Sequence, residues 1–204
     1  DKEHAARFVD IIKENADRLS RLVEDLLTLS NIELGKVSYD IRDVDVEEAA
    51  RTVISTLEPK AKAKGISLEV DVEKGVHVLS DKDRLAQILL NLVDNAIKFT
   101  EKGSVKIQAQ STPPLPLFGK EGVQGAFVEI SLTDTGSGIP PKDIARLGER
   151  FYRVDPARSR ELGGTGLGLA IVKHLVVSMG GKLSIESEYG KGTRISFTTP
   201  KAEN

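Results

Sequence analysis

The sequence predicts an α+β protein, a two-layer α/β sandwich in which helices cover one face of a mixed β-sheet, preceded by one long helix. Three observations predict this class. Residues 3–34 contain no Gly or Pro and keep a helical spacing of apolar side chains. Short alternating segments then recur between helical segments, and the chain finishes on two such segments joined by the Gly-containing turn "YGKG".

The long first helix carries an apolar stripe that it cannot bury by itself. Its members recur in alternating steps of four and three: Ala5, Val9, Ile12, Ala16, Leu19, Val23, Leu26 and Ser30. This spacing is typical of a helical bundle, so the stripe needs partner helices from another chain or from sequence that is absent here. Gly35 ends the helix. We therefore divide the chain into a partial bundle segment, 1–35, and a second domain, 36–204.

The remaining elements are expected in chain order: a strand in 36–46, a helix over 46–64, strands at 66–72 and 76–80, a helix over 81–100, strands near 104–110 and 126–133, a short helix near 141–147, a helix over 168–179, and strands at 182–187 and 193–199. The strands at 66–72 and 76–80 are expected to form a hairpin around "EKG". Ser80 with Asp83 resembles a capping box. The Pro- and Gly-rich stretch 111–125 is expected to be a surface loop between antiparallel strands.

Composition excludes several classes of function. The chain has 204 residues, 31 acidic and 29 basic, and no cysteine. The balanced charge argues against recruitment of nucleic acid or an anionic membrane, and the lack of cysteine excludes disulfides and thiol catalysis. No apolar run approaches the length of a membrane span. We expect a cytoplasmic module, either free or as the cytoplasmic part of a membrane-anchored receptor.

The helix over 81–100 has two distinct faces. Leu85, Leu89, Leu92, Ala96 and Phe99 share an apolar face, and about 120° away lies a polar ribbon. The ribbon consists of Asn91, Asn95 and Lys98. Two carboxamides and an ammonium can together hold a cation and phosphate oxygens. The alternative is an ordinary solvated helix face.

Two further stretches are chemically suggestive. In "DTGSGIP", Asp134 ends a strand and could accept a hydrogen bond from an exocyclic amine, while Gly136 and Gly138 would let a flat base approach the backbone. An ordinary Asp-led turn is the alternative. In "ERFYRVDPARSR", four arginines fall within residues 150–160 and could reach a terminal phosphate, unless this is merely a solvated loop.

The stretch "LGGTGLGLAIV", residues 162–172, has four glycines within six positions and then enters a helix. Such a cluster indicates positive φ angles or a ligand close to the backbone. A helix that begins after it directs unpaired N–H groups at an anion, so phosphate is the first candidate. A flexible linker or a plain helix start would explain the cluster alone equally well.

Taken in order, these four stretches resemble the nucleotide-binding boxes of sensor histidine kinases in the GHKL superfamily. "NLVDNAIKFT" is similar to the N box, "DTGSGIP" to the first glycine box, "RFYRVD" to the phenylalanine box and "GGTGLGL" to the second glycine box. "RLSRLVEDLLTLSNIELGK" resembles the second helix of the dimerisation domain. The resemblance covers nearly the whole chain and implies a Bergerat-type ATP-binding fold.

The resemblance also implies roles for individual residues. Asn95 would help coordinate Mg²⁺, with Asn91, Lys98 and Phe99 near the nucleotide. Asp134 would read the adenine amine, above Gly136, Gly138 and Ile139. The residues implied to close over the triphosphate are Arg153, Gly164, Thr165, Gly166, Leu167, Gly168 and Leu169. Residues 152–164 would form a mobile lid.

The implied reaction is transfer of the ATP γ-phosphoryl group to a histidine. ATPase branches of the superfamily have a glutamate where this chain has Asn91, and a carboxamide takes no proton at neutral pH. Transfer would then depend on Mg²⁺, Lys98 and Arg153 as the groups that neutralise charge. The implied partners are ATP, a helix carrying the phosphoacceptor histidine, a response regulator, and a second copy in the intact protein.

Three departures from the family pattern stand out. No acceptor histidine of the family type is present, and His4 lies in the wrong helix, so this chain alone is expected to lack autophosphorylation. Gly148 replaces an aromatic residue, which is expected to loosen the entry to the lid. Phe99 lacks the hydroxyl of a tyrosine often found there. Alternatives to the histidine kinase are a GHKL-type serine protein kinase or slow ATPase, and a non-catalytic dimerisation scaffold.

Overall fold

The computed structural model of the protein describes residues 2–112 and 126–202. The helices in these ranges are α1 (Lys2–Glu33), α2 (Val46–Lys64), α3 (Lys82–Phe99), α4 (Pro141–Ile144), α5 (Pro156–Glu161) and α6 (Gly168–Ser178). The strands are β1 (Arg42–Asp45), β2 (Ile66–Val72), β3 (His77–Ser80), β4 (Gly103–Thr112), β5 (Phe127–Asp134), β6 (Leu183–Glu188) and β7 (Gly192–Pro200).

The main sheet has five strands in the order β2-β4-β5-β7-β6. β2 runs parallel to β4, and the other neighbours are antiparallel. Helices cover one face of this mixed sheet, which confirms the predicted fold class. β5 is the central strand, and its last residue, Asp134, lies opposite Val105 and Thr193. The stretch expected to be a loop, 111–125, falls outside the described residues from position 113 onward.

The hairpin predicted around "EKG" is wrong. β2 pairs with β4 instead, and β3 pairs with β1 in a separate two-stranded sheet. β2 and β4 are linked through α3, which is the helical crossover that parallel strands need. The strand expected over 36–46 is also shorter, since only Arg42–Asp45 is extended into β1.

The start of α3 differs from the expected capping box as well. Asp81, not Ser80, is the N-cap, and its Oδ1 accepts hydrogen bonds from the backbone N–H groups of Asp83 at 2.9 Å and Arg84 at 3.1 Å. Its Oδ2 accepts the backbone N–H of Asp40 at 3.0 Å. Partial burial raises the pKa of this carboxyl, but the three backbone donors outweigh burial and hold the pKa below its ordinary value. Asp81 therefore fixes the beginning of α3 and ties it to the chain before β1.

The core lies between the sheet and the layer of α2, α3 and α6. The apolar face predicted for α3 is buried at Leu85, Leu89 and Leu92, each no more than 1% exposed. Further fully buried side chains come from the sheet and from α6: Ile107, Ile130, Leu132, Ile171 and Leu175. Burial of one face of α3 leaves the ribbon of Asn91, Asn95 and Lys98 at the edge of the core.

The first helix, α1, packs on the domain with a face different from the predicted stripe. Leu29 and Ile32 are buried in the core, at the end of α1 that contacts α6. The large apolar side chains of the predicted stripe are exposed: Val9 62%, Ile12 66%, Leu19 62%, Val23 56% and Leu26 50%. Within the described residues, no helix is both long enough and apolar enough to cross a membrane.

Candidate functional site

A cavity of about 640 Å³ opens between α3, the segment containing α4 and α5, and the start of α6. Its volume is within the range of small-molecule sites. Most of the predicted site residues line it: Asn91, Asn95, Lys98, Phe99, Asp134, Gly138, Ile139, Arg153, Gly164, Thr165, Gly166, Gly168 and Leu169. Residues from four separate stretches of the sequence therefore meet at one cavity.

Two of the predicted residues, Gly136 and Leu167, do not line the cavity. The backbone N–H of Gly136 donates to Asp134 Oδ1 at 2.8 Å, and a Cβ at this position would lie 2.7 Å from the carbonyl oxygen of Phe99. Gly136 thus permits close packing behind the cavity wall. Leu167 is fully buried at the N-cap position of α6, where it anchors the glycine loop in the core.

The inner end of the cavity contains one buried carboxyl among apolar side chains. Asp134 is 9% exposed. Burial raises its pKa above the ordinary value, although backbone N–H groups of Gly136 and Thr193 act in the opposite direction. Leu132, Ala96 and Ile195 line the same cavity. A buried acceptor in an apolar surround is suited to one specific hydrogen bond from a flat ligand.

The fold requires glycine at position 138, beside the inner end of the cavity. Gly138 has φ of 62°, and a Cβ there would lie 2.1 Å from the carbonyl oxygen of Glu188. The next residue, Ile139, donates its backbone N–H to Ser187 Oγ at 2.8 Å. The first glycine stretch is therefore bound to β6, which holds Ile139 in the cavity wall.

The outer end of the cavity is polar and lies where α3 faces the start of α6. Asn91 Nδ2 donates to the carbonyl oxygen of Gln87 at 3.1 Å. A Cβ at Gly168 would lie 3.0 Å from Asn91 Oδ1 and 4.0 Å from Asn95 Nδ2. Gly168 therefore lets the first turn of α6 approach both carboxamides, and the N–H groups of this first turn lack partners within the helix.

The glycine loop and the arginine-rich stretch are in direct contact. Gly166 has φ of 76°, and a Cβ there would lie 3.0 Å from the backbone of Phe151 and 3.2 Å from Arg153 Nε. The backbone N–H of Phe151 donates to the carbonyl oxygen of Gly166 at 3.0 Å. Phe151 itself has φ of 62°, which is uncommon for a residue with a side chain. These contacts place the Arg153 guanidinium beside the loop.

Gly148 occupies a backbone conformation that disfavours the expected aromatic residue. Its φ is 84°, in the left-handed region. Other contacts hold the segment around Gly148: Tyr152 Oη donates to Asp143 Oδ1 at 2.7 Å, and the Arg146 guanidinium lies 4.1 Å from the centre of the Tyr152 ring. The pKa of the Tyr152 hydroxyl is raised, first because of this hydrogen bond.

Sequence reasoning missed an ion-pair chain on α3. Asp94 lines the cavity and pairs with two lysines: Lys98 Nζ lies 2.6 Å from Asp94 Oδ2, and Lys60 of α2 donates to Asp94 Oδ1. The i, i+4 spacing of Asp94 and Lys98 is a signal that the sequence does contain. The contribution of Lys60 could not be found this way, since it lies on another helix.

Sequence reasoning also missed the part that α1 plays in the cavity wall. Asp25 and Arg21 both line the cavity. Thr165 Oγ1 donates to Asp25 Oδ2 at 2.7 Å, and a Cβ at Gly163 would lie 3.4 Å from the Arg21 guanidinium. Arg150 donates to Glu33 near the end of α1. The long helix is therefore attached to the glycine loop and to the arginine-rich stretch.

The histidines with described side chains lie away from the cavity lining. His77 Nδ1 is 2.5 Å from Asp43 Oδ1, and His174 Nε2 is 3.4 Å from Glu33 Oε1. Both therefore contact acidic side chains outside the cavity, as packing or surface residues do. The side chain of His4 is outside the described part of the chain.

The residues around the cavity fit a nucleoside triphosphate with a divalent cation. The inner end offers a hydrogen-bond acceptor and an apolar wall of the kind that a purine base needs. The outer end offers carboxamide oxygens, an ammonium, a guanidinium and glycine backbone, which are suited to Mg²⁺ and phosphate oxygens. The glycines that face Asn91 and Arg153 leave space that a Cβ would fill.

Comparison with known proteins gives a consistent result. The family model described as "Histidine kinase-, DNA gyrase B-, and HSP90-like ATPase" matches residues 80–203. The sensor histidine kinase WalK of Bacillus subtilis is 34% identical over 202 residues, which cover 99% of this chain and 32% of WalK. The sensor-like histidine kinase SenX3 of Mycobacterium tuberculosis is 35% identical over 200 residues, which cover 98% of this chain and 46% of SenX3.

A solved protein structure is also similar to this chain. Full-length ShkA, crystallised in complex with AMPPNP, superposes with a TM-score of 0.81 at 34% identity, covering 98% of this chain and 39% of ShkA. The chain thus spans less than half the length of each of these three proteins.

Proposed function

Because the chain belongs to the histidine kinase-, DNA gyrase B- and HSP90-like ATPase family, we propose that it is the ATP-binding kinase module of a two-component sensor. It would transfer the γ-phosphoryl group of ATP to a histidine on a dimerisation helix absent from this chain, for onward transfer to a response regulator. The observation that carries the proposal is the meeting of Asn91, Asn95 and Lys98 with the glycine loop at one end of a cavity that holds Asp134 at the other.

The proposed orientation of ATP follows from the two ends of the cavity. Asp134 accepts a hydrogen bond from the adenine amine, and Gly138 and Ile139 provide the surface beside the base. Gly136 supports this arrangement from behind, through its hydrogen bond to Asp134. Phe99 lies along the same wall. The buried, apolar setting of Asp134 supports recognition of a base, since a charged phosphate would be repelled there.

The triphosphate would lie at the outer end. Asn91 and Lys98 approach the phosphates from α3, and Arg153 from the opposite side, over the loop formed by Gly164, Thr165 and Gly166. Leu167, Gly168 and Leu169 hold the start of α6 against the phosphates, where its N–H groups favour negative charge. Asn95 would hold Mg²⁺, which when bound neutralises phosphate charge and orients the terminal group.

The proposed transfer breaks the bond between the γ-phosphorus and the oxygen that bridges to the β-phosphate. A bond forms between that phosphorus and the unprotonated imidazole nitrogen of the acceptor, the other ring nitrogen releases its proton to solvent, and ADP leaves with the bridging oxygen. Lys98 and Arg153 stabilise the charge that develops on the phosphate oxygens. ATP hydrolysis would need a general base at the position of Asn91 to activate water, and a carboxamide cannot act as a general base. This favours transfer over hydrolysis.

The arrangement of the chain supports two further parts of the proposal. Residues 1–35 would be the partial dimerisation segment and 36–204 the ATP-binding domain. The exposed stripe on α1, centred on Leu19 and Val23, is suited to helices of the acceptor segment and of a second copy. We place the module in the cytoplasm, with the response regulator and ATP as partners.

Calorimetry and phosphorylation together test the proposal. The purified chain should bind ATP with micromolar to millimolar affinity in the presence of Mg²⁺, and binding should weaken when EDTA removes the metal. Mixed with a separate protein carrying the acceptor helix, it should produce acid-labile, alkali-stable phosphate on that protein. Absence of heat with millimolar ATP and Mg²⁺ would overturn the nucleotide site.

The alternatives predict different products in the same experiment. A serine protein kinase would yield acid-stable phosphate on the partner. A slow ATPase would release inorganic phosphate without any labelled protein. A non-catalytic scaffold would dimerise but show no metal-dependent saturation with ATP. The Asn95→Ala variant is the control for metal-dependent ATP binding. It removes the proposed metal ligand and leaves the buried face of α3 unchanged.

A further inference from the structure

We propose that Asp94 is a positioning residue that holds the Lys98 ammonium ready for the phosphates, with Lys60 of α2 as its counter-charge. The inference rests on the proposed function, because it concerns the phosphate end of the same site. It starts from one feature: the acidic side chain of Asp94 lines the cavity one helical turn before Lys98. A carboxylate at that place would repel phosphate unless its charge were neutralised from another side.

The structure supplies that neutralisation. Asp94 Oδ1 accepts from Lys60, and Asp94 Oδ2 lies 2.6 Å from Lys98 Nζ. Both contacts are with ammonium groups, so the negative charge of Asp94 is balanced from two sides. The three groups together carry one net positive charge, and Lys98 is the lysine of the two that lines the cavity.

Pairing with Asp94 also restricts the Lys98 side chain. A free lysine has four rotatable bonds, and binding a ligand with it costs the entropy of those bonds. The Lys98 side chain is only 14% exposed, and one of its three N–H donors is directed at Asp94. The other donors stay available, so the ammonium meets a phosphate from a position that is already set.

Helix α2 also holds the C-terminal end of α3, the helix that carries both Asp94 and Lys98. Lys64 Nζ donates to the carbonyl oxygens of Ile97 at 2.7 Å, Lys98 at 3.0 Å and Thr100 at 3.2 Å. These bonds satisfy carbonyl groups of the last turn of α3 and of its C-cap residue, which lack partners within the helix. Lys60 and Lys64 lie one turn apart on α2, so the same helix fixes both the backbone and the carboxylate that orient Lys98.

The Asp94→Asn variant tests the proposal by calorimetry with two ligands. ATP with Mg²⁺ requires Lys98, whereas adenosine has no phosphate and does not reach it. We expect the variant to bind ATP about tenfold more weakly, the factor that corresponds to one charge-assisted hydrogen bond. Binding of adenosine should be unchanged. Equal loss for both ligands would assign Asp94 a merely structural role and overturn the proposal.

A double-mutant cycle adds a second criterion. In a Lys98→Met background, Asp94→Asn should cause little further loss of ATP affinity, because the group that it orients is gone. Full additivity of the two losses would overturn the proposal. Asp71→Asn is the matched control: it breaks an ion pair with Lys106 at 2.7 Å on the sheet, among residues that do not line the cavity, and should leave ATP binding unchanged.

The wild-type chain separates failure of this inference from failure of the proposed function. If wild type binds neither ATP nor adenosine, the nucleotide site itself is wrong. If wild type binds both and Asp94→Asn is indistinguishable from it, the site stands and the role of Asp94 is wrong. Asp94→Glu should recover part of the affinity, since the longer carboxylate can still reach the ammonium.

Discussion

Thr165 of the glycine loop donates its hydroxyl to Asp25 of the long first helix, 140 residues earlier in the chain, at 2.7 Å. The same hydroxyl accepts the backbone N–H of Leu167 at 3.2 Å. One side chain thus joins the helix that precedes the domain, the loop, and the start of α6. A movement of α1 would therefore change the surroundings of the proposed phosphate site.

We predict that Asp25→Asn strengthens ATP binding. The variant removes a carboxylate from the cavity wall near the proposed phosphate site and so reduces repulsion of the triphosphate. A gain of about two- to fivefold in affinity is expected, the range of a single like-charge interaction near a protein surface. Calorimetry with ATP and Mg²⁺ measures it. Glu24→Gln, an exposed neighbour, is the control and should show no gain; weaker ATP binding by Asp25→Asn would contradict the prediction.

Asn95→Ala should abolish most of the dependence of ATP binding on Mg²⁺. The carboxamide oxygen is the proposed protein ligand of the metal, and alanine at a helix position costs no helical structure. We expect ATP affinity with Mg²⁺ to fall at least about tenfold, while affinity measured in EDTA changes little. Titrations with and without metal check this. An equal loss in both conditions would mean that Asn95 does not act through the cation.

Asp134→Asn should stabilise the protein without ligand while weakening ATP binding. Because burial raises the pKa of Asp134, its ionised form is disfavoured in the folded state. The stability that Asp134 contributes is fully present at pH values below its pKa in the unfolded state. This stability is lost as the pH rises through its pKa in the folded state. The variant should therefore have a higher Tm than wild type at pH 7, and the difference should shrink toward pH 4.

The same variant should bind ATP about 10- to 100-fold more weakly, since it lacks the charged acceptor for the adenine amine. Thermal unfolding across pH and calorimetry measure the two effects. Asp71→Asn is the control for stability: the pKa of Asp71 is lowered, first by its hydrogen bond from Lys106, so its loss should bring no gain at pH 7. A lower Tm for Asp134→Asn at pH 7 would be inconsistent with this account.

Gly138→Ala should destabilise the fold far more than Gly180→Ala. Both glycines have positive φ, 62° and 77°, so both substitutions strain the backbone by about 1–2 kcal/mol. Only at Gly138 would the new Cβ also meet an atom, the carbonyl oxygen of Glu188 at 2.1 Å; nothing lies within 4 Å at Gly180. We expect a total loss of about 3 kcal/mol or more for Gly138→Ala. Urea unfolding of both variants measures the loss in the free energy of unfolding. Similar losses for the two variants would refute the steric explanation.

The sequence was sufficient for those parts of the fold and site that depend on local patterns. The bounds of α2 and α6, the buried face of α3 and the glycine stretches all follow from helical periodicity, capping chemistry and conformational freedom, which involve residues within a few positions of each other. The order of the four stretches that resemble nucleotide-binding boxes also indicated that Asn95 and Asp134 belong to one site. Both residues line the same cavity.

The partners of β2 and β3, and the contacts that Lys60, Arg21 and Asp25 make at the site, were decided by the tertiary structure alone. β2 and β3 are joined by a short turn that is typical of a hairpin, yet β2 pairs in parallel with β4, to which it is connected through β3 and α3. Lys60, Arg21 and Asp25 reach the site only through packing of whole helices. Local spacing determines which side chains share a face; which other element that face meets depends on contacts between residues tens to more than a hundred positions apart.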